Sequence, residues 1–527
     1  MSVVSEQAGN FIVEIKGAKA LQAACVYPVA EGNEILTASP AVKEARKVNL
    51  ELLLSNHKRE CLTCVRSKNC ELQSLADELN ITDLRFEGER CDLPMDLTSA
   101  SLVRDPQKCI ACRRCVAVCR NVQKIGVIDA VNRGFNTSIG PAFGMGIGEV
   151  ACVNCGQCLV ACPVGAITEK SAINQVWDAI ADPEKVVLVQ TAPAVRAAIG
   201  EEFGMPIGSV ATKQMVGAML GLGFDKVFDT DTAADLTILE EGTELLHRIQ
   251  NGGTLPLITS CSPGWIKYCE HYFPDMTENL SSCKSPQQMF GATLKTYYAE
   301  KMGIDPKKIV SVSVMPCTAK KFEIGRDDED AAGVPDVDIA ITTRELARMI
   351  KKVGIMFTEL PDEEFDSPLG ESTGAAVIFG ATGGVMEAAL RSAYYLVTGN
   401  NPDADAFKSV RGLEGWKEAS FDLNGTTVNV AVASGLGNTR RLVNAIKKGE
   451  VHYDFVEIMS CPGGCINGGG QPYKEDTVMV EERRHVLYGL DKRDNLRFSH
   501  ENPSVKQCYE EYFEKPLSHR AHEILHV

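Results

Sequence analysis

The sequence predicts small α+β domains followed by a large α/β domain with largely parallel sheets. The chain has 527 residues, more than one hydrophobic core normally serves, so about three or four domains are expected. Closely spaced cysteines crowd the first third of the chain, which is typical of small metal-binding domains. From about residue 186, short apolar runs alternate with helix-length segments, which indicates strands connected by helices.

Charge and hydropathy exclude several classes of function. The chain has 70 acidic and 54 basic residues, and the net charge of −16 argues against nucleic acid or an anionic membrane as the main partner. No apolar run approaches the roughly 20 residues that span a bilayer, and the opening MSVVSEQAGN lacks the layout of a signal peptide. We therefore expect a cytoplasmic protein whose 20 cysteines do not form disulfides, and the spacing of the clustered cysteines indicates metal binding.

Two cysteine runs share the spacing C-x2-C-x2-C-x3-C. This spacing binds cubane four-iron clusters in bacterial ferredoxins, where the fourth cysteine of each run ligates the other cluster. A pair of structural zinc sites is the alternative, but two complete runs favour iron–sulfur clusters and a two-cubane ferredoxin-like domain. The expected ligand sets are Cys109, Cys112, Cys115 and Cys162 for one cubane, and Cys152, Cys155, Cys158 and Cys119 for the other.

A third metal site is predicted upstream, in SNHKRECLTCVRSKNCEL. It offers His57, Cys61, Cys64 and Cys70, four ligands within fourteen residues. Spacing alone leaves zinc and iron–sulfur nearly equal. The adjacent ferredoxin-like pair favours a third four-iron cluster.

In the α/β part, three predicted strands end at cysteines. They are TLPLITSC, KIVSVSVMPC and DFVEIMSC, which end at Cys261, Cys317 and Cys461, and Cys465 follows the last. Ligands of α/β sheets bind outside the carboxyl ends of the strands, so these sulfurs are predicted to converge on one site. The alternative is that each is a buried core thiol. Nearby, TTRE at 342–345 predicts a capping box that opens a helix.

These segments resemble a known family. TSCSPGW at 259–265, MPCTAKK at 315–321 and EIMSCPGGCINGGGQP at 457–472 are similar to the three signature segments of the iron-only (FeFe) hydrogenases. The HKRECLTC site and the ferredoxin-like pair resemble the accessory domains of that family in the same order. The resemblance extends from about residue 11 to the tail KPLSHRAHEILHV. It implies an enzyme that interconverts H2 with two protons and two electrons.

The resemblance also implies a cofactor and its ligands. The H-cluster of the family is a cubane joined through a cysteine sulfur to a two-iron unit with CO, cyanide and a dithiolate amine. Cys317, Cys461 and Cys465 match cubane ligands, with Cys465 as the bridge to the two-iron unit, and Lys320 matches a donor to cyanide. The residues that match the enclosure of that unit are Ala192, Pro193, Gln287, Met315, Phe379 and Met459.

A proton path is implied in the same way. Cys261 matches the proton-relay cysteine of the family. Glu241, Glu244 and Arg248 lie at i, i+3 and i+7 on one helix face, and with Ser281 they match the path to the surface. On spacing alone a solvated charged face is the better interpretation. Neighbouring Glu240 has no such match.

Ser262 departs from the family pattern, which commonly has cysteine at this ligand position. Ser262 could bind iron as an alkoxide, a harder donor than thiolate. Alternatively, Cys261 could turn to the cubane and leave the relay to Ser262. We favour Ser262 at or near iron with Cys261 as the relay, since the backbone register fixes which way each side chain faces. The nearby thiols of Cys269 and Cys283 could substitute as ligands, but we interpret both as buried core residues.

The N-terminal segment and the domain limits complete the prediction. FIVEIKGAKALQAACVYPVA at 11–30 resembles only the last part of a plant-type two-iron ferredoxin domain, and Cys25 is its single cysteine, so we expect a remnant without metal. Cys91 and Cys508 are expected to be structural. The predicted segments are a remnant at 1–50, a His/Cys3 cluster domain at 51–95, a two-cubane domain at 96–178, an H-cluster domain at 179–500 and a tail that wraps it at 501–527.

Partners and rival functions follow from this organisation. Electrons are expected to run from the H-cluster through the ferredoxin-like pair and to leave by the His57 cluster or directly from the pair. The acceptor is expected to be ferredoxin or an iron–sulfur, flavin or formate-linked subunit of a complex. GLGN at 435–438 lacks the full dinucleotide fingerprint and is expected to open a helix. The alternatives are an iron–sulfur assembly factor or a hydrogen sensor of the same superfamily.

Overall fold

The computed structural model describes residues 11–473 and 478–527, which fall into two units. The opening stretch on which the expectation of no signal peptide depends lies outside the described residues. The first unit comprises the described residues up to Asn121 with Ile125–Cys152 and Gln157–Lys170. The second comprises Val122–Lys124, Val153–Gly156 and the described part of Ser171–Val527. Among the described residues, no helix has the length and apolar character needed to cross a membrane.

The described part of the first unit is built from short antiparallel strands and short to medium helices. One sheet has the order β2-β1-β3, and β4/β7 and β5/β6 form two further ladders. Its strands are β1 Ile12–Ile15, β2 Gln22–Ala23, β3 Ile35–Leu36, β4 Leu102–Arg104, β5 Asp129–Val131, β6 Ser138–Gly140 and β7 Ile167–Glu169. Its helices are α1 Pro40–Asn56, α2 Glu71–Glu78, α3 Arg114–Ala117 and α4 Gln157–Ala161.

Two four-stranded sheets organise the described part of the second unit. One has the order β12-β11-β8-β9 and is entirely parallel, and the other has the order β10-β15-β14-β13, in which only the β13/β14 pair is antiparallel. Central strands of such sheets are covered on both faces, so they read as continuous apolar runs. The strands are β8 Val186–Thr191, β9 Lys226–Asp229, β10 Leu257–Ile258, β11 Ile309–Met315, β12 Ile339–Thr342, β13 Trp416–Leu423, β14 Thr426–Ser434 and β15 Phe455–Met459.

Helices cover these sheets, and apolar side chains fill the layers between them. Val189, Val312 and Ile341 of three neighbouring strands pack in one core cluster with helix α6. The helices are α5 Ile173–Ala181, α6 Thr212–Leu222, α7 Asp231–Asn251, α8 Pro263–Tyr272, α9 Pro286–Thr293, α10 Ala299–Met302, α11 Lys320–Glu323, α12 Thr343–Val353, α13 Gly374–Val377, α14 Gly384–Thr398, α15 Leu436–Lys447, α16 Val478–Arg493, α17 Pro503–Cys508 and α18 His519–Leu525.

The α/β prediction for the second unit is confirmed, with one difference in extent. The apolar run TLPLITSC forms only the two-residue strand β10. Pro256 has no amide hydrogen to donate, so the ladder begins after it, and Ser262 already caps α8. The predicted capping box at Thr342 and Glu345 is present, and GLGN opens helix α15 as expected. The five-segment division of the chain stays a prediction.

Candidate active site

The carboxyl ends of β10, β11 and β15 lie around one cavity in the second unit. Cys261, Cys317, Cys461 and Cys465, which follow these strands, all line it. Sulfurs from three distant parts of the sequence are therefore brought to the same enclosed space.

Two glycines allow the CPGGCINGGG segment to approach its neighbours. Gly464 has a φ of +98°, and a Cβ there would lie 2.6 Å from the backbone nitrogen of Thr382. A Cβ on Gly468 would lie 2.0 Å from the carbonyl oxygen of Pro316. No other residue fits either position without moving the backbone, so glycine at both sites fixes where Cys465 lies.

The wall of the cavity is largely apolar. Its polar members include Gln287, Ser262 and Lys320. An apolar wall excludes bulk water and strengthens the few polar contacts made inside it. All residues predicted to enclose the cofactor line this cavity: Ala192, Pro193, Gln287, Met315, Phe379 and Met459.

Lys320 has a buried partner that the sequence did not single out. Its Nζ donates to Glu323 Oε2 at 2.8 Å, to Ser285 Oγ at 2.7 Å and to the Cys261 carbonyl at 3.3 Å. Glu323 also accepts from Gln287 Nε2 at 2.8 Å. The i, i+3 spacing in KKFE is the only sequence signal for this pair, and such pairs usually lie on helix surfaces.

Cys261 and Ser262 have different surroundings. Ser262 Oγ lies 2.8 Å from Ser460 Oγ and accepts from the Ser460 N–H at 3.3 Å, directly before Cys461. Burial, together with nearby Glu241, raises the pKa of the Cys261 thiol well above its usual value. Ser262 therefore contacts the loop that carries Cys461, whereas Cys261 lies where the charge of Glu241 affects the ionisation of its thiol.

Glu241, Glu244 and Arg248 lie on helix α7 and become more exposed toward its C-terminus. Glu241 is 1% exposed and Glu244 8% exposed, so the solvated-face interpretation is wrong for both. Ser281 Oγ donates to Glu244 Oε2 at 2.7 Å, and Arg248 Nη2 donates to Glu244 Oε1 at 2.6 Å. Burial raises the pKa of Glu241 to about 8, and neighbouring Glu244 adds to the effect. Glu241 therefore holds a proton at neutral pH.

In the first unit, the structure brings together one of the predicted ligand sets. Cys109, Cys112, Cys115 and Cys162 line a single cavity. Of the other predicted ligands, Cys119 and Cys152 are buried and Cys158 is partly exposed. Cys155 belongs to the second unit, where its carbonyl oxygen lies 4.0 Å from Cys461 Sγ.

The upstream histidine, His57, is buried and neutral. Burial lowers the pKa of His57 to about 4, so the ring is neutral at physiological pH. Its Nδ1 has no hydrogen-bond partner among the described residues. Cys61 is exposed, whereas Cys64 and Cys70 are partly exposed. Within residues 11–473 and 478–527, no group of three or more His, Cys, Asp or Glu side chains has the geometry of a single-ion site.

Comparison with protein families accounts for most of the chain. Residues 185–469 match the family described as iron only hydrogenase large subunit, C-terminal domain, and residues 477–527 match iron hydrogenase small subunit. Residues 46–85 match the NADH-ubiquinone oxidoreductase-G iron-sulfur binding region, and residues 108–166 match a 4Fe-4S dicluster domain. The chain belongs to the iron-only hydrogenase family.

Named relatives agree with this membership. The hydrogenase is 50% identical to NADP-reducing hydrogenase subunit HndD of Solidesulfovibrio fructosivorans, over 98% of this chain and 89% of that protein. It is 44% identical to iron hydrogenase 1 of Clostridium pasteurianum, over 98% of this chain and 90% of that protein. A solved structure of a variant of apo FeFe-hydrogenase HydA1 from Chlamydomonas reinhardtii matches with a TM-score of 0.61 and 45% identity. The match covers 68% of this chain and 98% of that chain.

Membership implies an H-cluster and four-iron clusters, and the residues of the cavity fit the former. Soft thiol donors and a hydroxyl line a largely apolar space, and thiols are the donor type that iron–sulfur clusters use. Burial raises the pKa of Cys465 to about 12 and also raises that of Cys317. Thiolates at these positions would need a bound cation, and the iron of an H-cluster held by Cys317 and Cys465 would supply it.

The raised pKa of Glu241 predicts a pH-dependent cost in stability. The folded protein keeps this proton up to about pH 8, whereas the unfolded chain loses it near the ordinary value of 4.5. The unmodified protein, the parent, should therefore lose stability as the pH rises from about 4.5 to about 8, by at most about 1.4 kcal/mol per pH unit. Glu241→Gln should remove this loss.

Urea unfolding of the parent and Glu241→Gln at pH 5 and pH 8 measures the effect. At pH 8 the free energy of unfolding of Glu241→Gln should rise relative to that of the parent. Glu278→Gln, at an exposed position, is the matched control and should show no such change. A difference between variant and parent that is the same at both pH values would show that Glu241 ionises normally in the folded protein.

Proposed function

We propose that this hydrogenase interconverts H2 with two protons and two electrons at an H-cluster held by Cys317, Cys461 and Cys465, with Cys465 as the bridging ligand. The observation that carries the proposal is that thiols from separate strand ends line one apolar cavity. When bound, the H-cluster supplies the metal centre for H2 and a route for its electrons. The protein supplies the ligands, excludes water and handles the protons.

Ser262 is proposed as the fourth residue at the cubane, with Cys261 as the proton relay. The hydrogen bonds of Ser262 Oγ to Ser460 direct it toward the loop of Cys461. Cys261 instead lies where Glu241 influences its ionisation. These surroundings favour the assignment in which the two neighbours divide ligation and proton transfer.

The proposed proton route runs from Cys261 through Glu241, Ser281 and Glu244 to Arg248. Glu241 is protonated at neutral pH, so it can donate a proton and recover one, as an acid–base group near its pKa does. Ser281 and Arg248 both hydrogen-bond Glu244, which orients its carboxylate between them. Increasing exposure along α7 leads the route toward solvent. Lys320, held by Glu323, is proposed to donate to the H-cluster.

Three accessory four-iron clusters are proposed to carry the electrons. The ligand sets are those expected from the cysteine spacing, and the shared cavity of Cys109, Cys112, Cys115 and Cys162 supports the crossed arrangement of the ferredoxin-like pair. The proximity of the Cys155 carbonyl to Cys461 Sγ supports electron passage to the H-cluster. A neutral His57 supports ligation of the third cluster with Cys61, Cys64 and Cys70.

The electron partner is proposed to be another redox subunit or ferredoxin, in a cytoplasmic complex. A relative at 50% identity is named as a subunit of an NADP-reducing hydrogenase, which favours a flavin- or iron–sulfur-containing partner. The segment at 11–50 is proposed to be a metal-free remnant, since Cys25 is exposed and is its single cysteine. The rival function is an iron–sulfur assembly factor. Retention of Cys261, Lys320 and CINGGGQP counts against it.

Infrared spectroscopy and a viologen assay test the function together. Protein assembled by hydrogenase maturases should show CO and cyanide stretches and should couple H2 to viologen reduction. The apoprotein with iron–sulfur clusters alone is the control and should show neither. Cubanes without these stretches and without H2 chemistry, in maturase-treated protein, would favour the assembly factor.

Replacing Ser262 by cysteine tests the ligand assignment. Because thiolate is a softer donor than alkoxide, Ser262→Cys should change the electron paramagnetic resonance spectrum of the cubane and slow iron loss to a chelator. Ser260→Cys is the matched control, since Ser260 Oγ donates to the Cys283 carbonyl at 2.6 Å and is committed elsewhere. An unchanged spectrum in Ser262→Cys would argue against iron–oxygen ligation.

A further inference from the structure

The segment at 525–527 buries a histidine beside the proposed proton route. The Val527 N–H donates to the Ser282 carbonyl at 2.9 Å, and the Lys284 N–H donates to the Leu525 carbonyl at 2.9 Å. This short antiparallel pairing places the His526 ring, which is fully buried, against residues 282 and 283. His526 has no part in the mechanism above.

Glu240 fixes which nitrogen of His526 carries the proton. Glu240 accepts from the Tyr509 hydroxyl at 2.6 Å and from the Leu517 N–H at 2.8 Å. A carboxylate surrounded by donors acts as an acceptor, so His526 donates its Nε2–H to Glu240 Oε2 at 3.2 Å. Nδ1 is then the acceptor, and Ser282 Oγ lies 2.9 Å from it.

Cys283 lies between this histidine and Glu244. Its Sγ is 3.9 Å from His526 Nδ1 and 4.0 Å from Glu244 Oε2. The larger radius of sulfur makes both distances compatible with hydrogen bonds. The thiol can therefore accept a proton from one side while it donates its own to the other.

We propose that Cys283 and His526 form a side branch of the proton route that stores a proton next to Glu244. A proton on Glu244 Oε2 passes to Cys283 Sγ as the Sγ proton passes to His526 Nδ1, and the reverse transfer returns it. The imidazolium is stabilised by the Glu240 carboxylate. The proposal rests on the proton route through Glu244. Because the reaction consumes or releases two protons, the branch would let the enzyme hold a second proton close to the route.

The groups that face the His526–Glu240 pair come from several elements. Glu240 is on α7, Cys283 precedes α9, Tyr509 follows α17, and His522 of α18 stacks on the ring with centroids 4.8 Å apart. His522 is exposed, so it marks the solvent side of the branch. Of these groups, only Cys283 also contacts Glu244.

His526→Gln in the full, maturase-assembled chain tests the branch, because an amide keeps hydrogen-bonding capacity but cannot store the proton. Viologen-linked H2 evolution should fall about two- to tenfold, and the fall should be greatest at high pH, where protons are scarce. The solvent isotope effect on the rate should increase. Loss of an obligatory acid–base group would instead reduce the rate ~10²-fold or more. His519→Gln is the matched control, because His519 is an exposed histidine of the same helix α18 that pairs with Glu523 at 3.3 Å, and it should behave as the parent. A pH profile and isotope effect of His526→Gln equal to those of the parent would overturn the proposal.

Cys283→Ala cuts the branch while it leaves the contacts of His526 to Glu240 and Ser282 intact. It should reproduce the effect of His526→Gln, and the double variant should be no worse than either single variant, since both interrupt one path. Additive losses would mean independent structural damage and would contradict the branch. If His526→Gln folds poorly, Cys283→Ala alone decides the matter, because a pH profile and isotope effect of Cys283→Ala equal to those of the parent would overturn the proposal.

Nitrogen NMR of the ¹⁵N-histidine-labelled full chain tests the branch without H2 turnover. The signal missing in His526→Gln should show the Nε2–H tautomer, whereas an Nδ1–H tautomer would remove the acceptor and refute the proposal. Cys261→Ala separates this inference from the main route. If Cys261→Ala is fully active, the main route fails; if it is inactive while His526→Gln and Cys283→Ala match the parent, only the branch fails.

Discussion

The structure depends on the convergence of cysteine side chains at the carboxyl ends of parallel strands. β11 and β15 lie in different sheets, yet Cys317 and Cys461 line the same cavity. Burying several thiols in an apolar space gives little stability by itself and raises their pKa values. The proposed iron ligation would give this arrangement a physical purpose. The glycines at 464 and 468 let the loop that carries Cys465 pack against neighbouring backbone.

The same burial underlies the proposed proton route. Glu241 lies deep in the protein on the helix that also carries Glu244 and Arg248, so its carboxyl stays protonated at neutral pH. Glu244 is held by Ser281 and Arg248, and Cys283 Sγ lies 4.0 Å from Glu244 Oε2 and 3.9 Å from His526 Nδ1. One helix thus spans the distance from the enclosed cavity to solvent. The segment at 525–527 packs against this helix through the contact of His526 with Glu240.

Much of this arrangement could be predicted from the sequence, because local rules and long motifs agree. Strand–helix alternation predicted parallel sheets, and the cysteines after β11 and β15 predicted a site at the strand ends. Spacing alone failed for Glu241 and Glu244, since a helical charge pattern does not reveal that other elements cover that face. The partner of Lys320, Glu323, and the position of His526 depend on contacts between distant segments. No local pattern encodes such contacts.

Iron anomalous diffraction from crystals of the maturase-assembled protein tests the central claim most directly. The account predicts a cubane within reach of Cys317, Cys461 and Cys465 and adjoining iron beyond Cys465, with Ser262 Oγ nearer the fourth cubane iron than Cys261 Sγ. Iron density elsewhere, or a single metal ion among these cysteines, would contradict it.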